Sequence, residues 1–189
     1  MNINPIGRRI LHQMEEKGVT VEKLAERTGL EQTLLRGLLQ DNVSPSLGPL
    51  LKVARALGVQ LGGILDDHSG KDPLIVRRNQ RVEKMSMIRE KDSPVASKFY
   101  SLGTGKTDRH MEPFFVELLP EASKDQKLSS HEGEEFIIVY SGKVELIYGD
   151  DVFQLESGDS VYYNSITPHN VSCLGEQIAT IYAVLYILA

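Results

Sequence analysis

Thr20–Leu39 reads "TVEKLAERTGLEQTLLRGLL". Thr20 stands where a helix N-cap belongs, and Glu22 falls in the first turn, where a negative charge suits the helix dipole. Gly29 can take positive φ at no steric cost, so it ends that helix in a sharp turn. Ala25 is small enough to let a second helix cross closely, and Leu35, six residues past Gly29, can anchor that second helix to a core. The pattern predicts two short helices joined by a tight turn, the second over about residues 32–40.

The same reading extends in both directions. Upstream, "IGRRILHQMEEKG" places Ile6, Ile10, Leu11 and Met14 on one stripe, with Gly18 as a stop. Downstream, "DNVSPS" is a turn. Ser46 can cap "LGPLLKVARAL", where Pro49 is tolerated in the first turn. Gly58 stops that helix and "LGGIL" gives a last weak turn. Five short helices with short links predict an all-α unit over residues 1–67. Residues 68–97 read as a linker containing a strand, "PLIVRR", that can join the C-terminal half.

After Ser93 the period falls to about two, and residues 98–189 are read as the C-terminal domain. "EFIIVYSGKVELIYGDDVFQLESGDSVYYN" holds β-runs divided by Ser-Gly, Gly-Asp-Asp and Ser-Gly-Asp, which are hairpin turn signals. "PFFVELL" and "IATIYAVLYIL" add strands. Short, evenly spaced strands predict a sandwich or small barrel.

Charge is unevenly spread over the 189 residues. Residues 1–67 carry 8 Lys+Arg and 8 Asp+Glu, residues 68–98 carry 8 and 4, and residues 99–189 carry 5 and 14, which sums to the net −5. The acidic C-terminal half repels nucleic acid, so phosphate contacts must come from the first half or the linker. The longest apolar run, "ATIYAVLYILA", has 11 residues, short of the ~18 a membrane helix needs. The start lacks the apolar core of a signal peptide, and a single cysteine, Cys173, cannot form an internal disulfide. A cytoplasmic protein with no membrane partner is expected.

The first 67 residues resemble the XRE or Cro-repressor-like helix-turn-helix family, whose fold is the five-helix, lambda-repressor-like domain. In that family the second motif helix lies in the major groove of double-stranded DNA. The resemblance implies that Gln32, Thr33 and Arg36 meet base edges. Gln suits adenine and Arg suits guanine, each pairing in two-pronged fashion. Arg8, Arg9, Lys23 and Arg27 become candidate phosphate contacts. Arg77, Arg78 and Arg81 of the linker are further candidates. The copy departs from the family at Leu34 and Leu39, where polar residues are usual. Gly37 weakens the reading helix by ~1 kcal/mol against Ala.

The second half resembles the cupin superfamily, an all-β double-stranded β-helix or jelly-roll barrel. "HEGEEFIIVYSG" matches the first cupin motif at His131, Glu135 and Gly142, and "SGDSVYYNSITPHNVSC" matches the second at Gly158, Pro168 and His169. Ser129 stands where the family carries a first histidine, which leaves His131, Glu135 and His169. Two imidazoles and one carboxylate form a facial triad suited to Fe(II). The candidate cofactor is a divalent metal: Fe, Zn, Mn or Ni. Tyr100, Tyr140 and Tyr162 are candidate ligand-pocket residues. The expected function is a homodimeric, sequence-specific DNA-binding transcriptional regulator whose cupin domain senses a small molecule. The rival is an iron-dependent cupin oxygenase or epoxidase with a head that binds no DNA, a plan that phosphonate epoxidases resemble. The dimer surface is expected at a sheet edge, on the apolar C-terminal strand.

Overall fold

The computed structural model describes residues 5–40, 47–66, 73–88, 95–106, 109–120 and 128–186. The expected turn at 41–46, including the Ser46 cap, lies outside the described residues, as do 187–189. The chain divides into two compact units, residues 1–75 with 104–109, and residues 76–103 with 110–188.

The first unit is helical: α1 Pro5–Glu16, α2 Val21–Thr28, α3 Gln32–Gln40, α4 Leu47–Leu57 and α5 Leu61–Leu65. Thr20 caps α2 by accepting from the Lys23 amide, and Gly29 closes it at φ 66°. Ile6, Ile10 and Met14 of α1 meet Leu24, Leu35, Leu38, Leu50 and Ile64 in one core, all at 5% exposure or less. Leu39, at a position where a polar residue is usual, is buried here as well. A Cβ on Gly7 would stand 2.7 Å from the Leu38 carbonyl oxygen and 2.8 Å from that of Leu39. Gly7 is therefore the point where α1 meets α3 backbone to backbone. Because backbone cannot yield as a side-chain tip can, Gly7→Ala should cost about 1–3 kcal/mol in chemical denaturation, the range of overpacked cores.

A buried ion pair belongs to the same unit. Arg109 Nη1 lies 2.7 Å from Asp66 Oδ2, with side-chain exposures of 5% and 2%. Arg109 also donates to the Lys106 carbonyl. Gly62 makes room for the guanidinium: a Cβ there would fall 2.8 Å from Arg109 Nη1.

The second unit contains β1 Glu83–Ile88, β2 Val95–Ser101, β3 Met111–Leu118, β4 Glu134–Ser141, β5 Lys143–Tyr148, β6 Asp151–Glu156, β7 Ser160–Asn164, β8 His169–Cys173 and β9 Ala179–Tyr186. They form a six-stranded sheet, β1-β2-β3-β9-β4-β7, and a three-stranded sheet, β6-β5-β8. Alternate residues of β3, β4, β5 and β9 point inward. Phe114 and Val116 of β3, Ile137 and Val139 of β4, and Val144 and Leu146 of β5 are all buried, together with Leu185 of β9. Gly142, between β4 and β5, takes φ 81°, and a Cβ would meet Ala179 Cα at 2.8 Å.

Two expectations need correction. "PLIVRR" forms no strand: it has no ladder partner among the described residues, its last residue opens a 3-10 turn at Arg78–Gln80, and Ile75 is 59% exposed. The linker strand that joins the sheet is β1, paired antiparallel to β2. The C-terminal strand is no sheet edge. β9 is hydrogen-bonded on both sides, to β3 and to β4, so it has no free edge to offer.

Candidate functional site

On α3, Leu35, Leu38 and Leu39 turn into the core, and this fixes the opposite face outward. Gln32, Thr33 and Arg36 are exposed there, at the spacing of one helical turn. Arg36 donates to Glu22 Oε1 at 2.9 Å. That pair is more than half exposed on both sides, so releasing Arg36 to another acceptor costs about 0–1 kcal/mol. Thr33 donates to Glu31 Oε2. Lys23 and Arg27 are exposed on α2, with Arg27 donating to the Ala56 carbonyl. Arg8 is exposed on α1. Arg9 is different, because its Nη1 donates to the carbonyls of Ile64 and Leu65 at 3.1 and 2.8 Å. It satisfies the C-terminal carbonyls of α5 and is a structural residue. Arg81 also has other work: its guanidinium lies 4.3 Å over the Phe115 ring and donates to the Tyr182 hydroxyl.

The second unit gathers His131, Glu135 and His169. Their ligand atoms all lie within 4.8 Å of one another, and all three residues are buried. The backbone sets this convergence. Ser129 and His169 exchange amide-to-carbonyl bonds at 2.8 Å, the His131 amide donates to the Ser165 carbonyl, and the Ser165 amide donates to the Gly133 carbonyl. These bonds clamp the stretch carrying His131 onto the entrance of β8. Glu135 then projects inward from β4.

Both imidazoles are oriented by backbone oxygen. His131 Nδ1 lies 3.1 Å from the Glu132 carbonyl, and His169 Nδ1 lies 2.8 Å from the Thr167 carbonyl. A carbonyl can only accept, so each Nδ1 carries the proton and each Nε2 faces Glu135. His131 Nε2 is 2.8 Å and His169 Nε2 is 3.4 Å from Glu135 Oε1. Ser165 donates to the same oxygen at 3.2 Å, and Tyr163 donates to Oε2 at 2.9 Å. Burial alone would push the Glu135 carboxyl up. The bonds from His131 and His169, with their charge, outweigh burial and hold it far below the usual carboxylate range. Burial likewise pushes His169 down, but the bond to Glu135, the Thr167 carbonyl and the Glu135 charge raise it above the ordinary imidazole value. The Tyr163 hydroxyl is pushed up by burial and by the Glu135 charge, so it stays a donor.

The donor set fits a metal ion. Orienting each ring through Nδ1 leaves Nε2 as the ligating atom of the neutral imidazole. Ser129 does not take the absent histidine's place: it is exposed, and its hydroxyl donates to the His169 carbonyl.

The three tyrosines expected to line a pocket do not point inward. Tyr140 is 54% and Tyr162 is 63% exposed on the outer face of the six-stranded sheet. Tyr100 shares that face, opposite Phe115, and donates to Glu117; burial and Glu117 push its hydroxyl up to about 12. Strand alternation instead aims Tyr163 at Glu135, its cross-strand partner. The Tyr148 ring lies 5.3 Å from that of Tyr163, tilted by 52°.

Residues 9–68 match the family model of the Cro/C1-type HTH DNA-binding domain, and residues 114–185 match that of the cupin domain. The HTH-type transcriptional regulator PuuR of Escherichia coli (strain K12) is 25% identical over 166 residues, covering 88% of this chain and 86% of that protein. A transcriptional regulator of the HTH_3 family from Vibrio cholerae superposes with a TM-score of 0.70 at 20% identity, over 98% of this chain and 97% of that one. Hydroxypropylphosphonic acid epoxidase from S. wedmorenis superposes at 0.50 and 20% identity, over 97% of both chains. These two structural likenesses carry the fold alone. With both family models matched in this order, the chain carries a Cro/C1-type helix-turn-helix DNA-binding domain followed by a cupin domain, the order expected of a helix-turn-helix transcriptional regulator.

Proposed function

We propose that this regulator reads an inverted-repeat operator as a cytoplasmic homodimer, with Gln32, Thr33 and Arg36 of α3 on base edges. The observation that carries this reading is the division of α3 into a buried leucine face and an exposed polar face. Lys23, Arg27 and Arg8 supply phosphate contacts around it. With about three phosphates neutralised per head, log affinity should fall with log salt at a slope of roughly −5 for a two-headed complex. Titrating the full chain with operator DNA at several salt concentrations tests this. A flat salt response contradicts it.

We further propose that the barrel senses a small ligand at His131, Glu135 and His169, with a divalent metal held by those three side chains. When bound, the metal supplies a Lewis-acidic point on which an oxygen or nitrogen of the ligand can rest. The protein's part is orientation: the Glu132 and Thr167 carbonyls fix the rings, and Tyr163 and Ser165 fix the carboxylate. A ligand that favours one arrangement by ~1.4 kcal/mol shifts the DNA-competent population tenfold.

The site predicts a particular pH response. Glu135 is depressed, so its contribution is present above its ordinary 4.5 and lost as pH falls through the folded value. His169 is raised, so its contribution is present below its ordinary 6.5 and lost as pH rises through the folded value. Metal-free protein should therefore gain most from this cluster between those two pH values. Added metal competes with the protons on the imidazoles, so its stabilisation should grow as pH rises. Thermal melts across pH, with and without Zn²⁺, read both trends. His131→Ala and His169→Ala should each abolish stoichiometric metal.

A further inference from the structure

We infer that the outer face of the six-stranded sheet is the surface on which a second copy of this chain docks. The inference takes up the homodimer of the proposed function and assigns its surface.

Both faces of this sheet carry large apolar side chains, and those of the inner face are consumed by the core. Outside, Met111, Phe136, Ile138, Tyr140, Tyr162 and Tyr186 are 37–63% exposed. Strand register makes them neighbours: Met111 pairs with Tyr186, and Phe136 with Tyr162. Phe136 and Tyr162 meet at 6.5 Å with their rings tilted by 45°, and Tyr140 meets Tyr182 edge-on at 5.5 Å. Arg81 roofs Phe115 and Tyr182 on the same face, which leaves the β4–β7 side open.

Area and charge select the occupant. Six side chains of ~200 Å², each about half exposed, offer on the order of 600 Å² per copy, three-quarters of the ~800 Å² each partner buries in a standard stable interface. Scattered surface apolars need no explanation, but a contiguous patch of this size marks an interaction site. None of the six is charged, whereas residues 99–189 carry a net −9 (5 Lys+Arg against 14 Asp+Glu). Two copies that meet here bring six uncharged side chains together, with Glu134 held by Tyr162 as the acid beside them. Glu134, opposite Tyr186 on the same face, has its carboxylate bonded by the Tyr162 hydroxyl. Antiparallel strands also suit a two-fold contact, in which one patch meets its own copy.

The test is sedimentation equilibrium of the full chain without DNA. Wild type should sediment at twice its 21.1 kDa. Phe136→Glu with Tyr162→Glu should raise the dimer dissociation constant at least about a hundredfold, giving the single-chain mass at ~10 µM. Its circular dichroism should be unchanged, because both positions are exposed. Tyr162→Glu alone, at the most exposed of the six positions, makes the same test with the least demand on the fold. Val152→Glu with Phe153→Glu, at exposed positions on β6 of the other sheet, should keep the dimer. A single-chain mass for wild type at ~100 µM would overturn the inference, pointing to another occupant or none. So would a dimer that survives Tyr162→Glu, or one lost only through β6. Because mass is read without DNA, these outcomes leave the α3 assignment untouched, and Gln32→Ala with Arg36→Ala should leave the mass unchanged.

Discussion

Gln32→Ala combined with Arg36→Ala should reduce affinity for operator DNA by at least about a hundredfold, while affinity for random DNA changes by only a few-fold. The reason lies in what each contact supplies. A two-pronged contact to a base is worth ~1–3 kcal/mol of discrimination, and a dimer loses it at both half-sites. The whole window between specific and non-specific binding is typically ~4–10 kcal/mol, so removing four such contacts consumes most of it. On the proposed reading Arg36 contacts a base and neutralises little phosphate charge, so the salt slope should barely move. Lys23→Ala should do the reverse, weakening binding to all sequences alike and lowering the slope. Fluorescence anisotropy on operator and scrambled duplexes separates the two classes. Neither substitution should unfold α3, since Gln32 and Arg36 are exposed and the core contacts belong to Leu35, Leu38 and Leu39.

Asp66→Ala should destabilise the helical unit by about 3–5 kcal/mol, because it removes the carboxylate that the buried Arg109 guanidinium bonds at 2.7 Å. Against a typical total stability of about 5–15 kcal/mol, that is enough to bring the unit close to its unfolding midpoint. The cost comes from breaking a buried charge pair on one side only, and not from the pair's own attraction. The double variant Asp66→Leu with Arg109→Met should therefore recover most of the loss. Urea denaturation followed by helical circular dichroism reads both variants. If Asp66→Ala costs no more than a surface substitution, the pair contributes nothing that water could not replace. Arg36 and Glu22 make the contrast. That pair has nearly the same length, 2.9 Å against 2.7 Å, but it is more than half exposed, so its loss should be felt in DNA binding and hardly in stability.

The features legible in the sequence are those set by near neighbours. Thr20 and Gly29 delimit α2 through contacts within four residues, and the leucines of α3 reveal its buried face by spacing alone. His131, Glu135 and His169 are legible because their motif spacing reflects a fixed strand register. Contacts between distant residues leave no such trace. Gly62 reads as a weak spot in a helix, yet it holds open the space that the Arg109 guanidinium fills, 47 residues on. Gly7 carries no local signal of its close approach to α3. Tyr163 and Ser165 grip Glu135 only because β7 pairs with β4 in one register. The tyrosines mislead for a physical reason. In "EEFIIVYS" both faces of β4 are apolar, so alternation is invisible and the sequence does not say which row is inside. The double-sided apolarity that hides the pocket direction is also what marks the outer face as an interface.

Sequence reading by α3 is tested most directly by sequencing the genomic fragments that the full chain retains, with the Gln32→Ala, Arg36→Ala variant run beside it. Wild type should retain a small set of fragments sharing an inverted repeat, and the variant no such set. Identical fragments retained by both proteins, or no enrichment by wild type over random DNA, would contradict the assignment of base reading to the exposed face of α3.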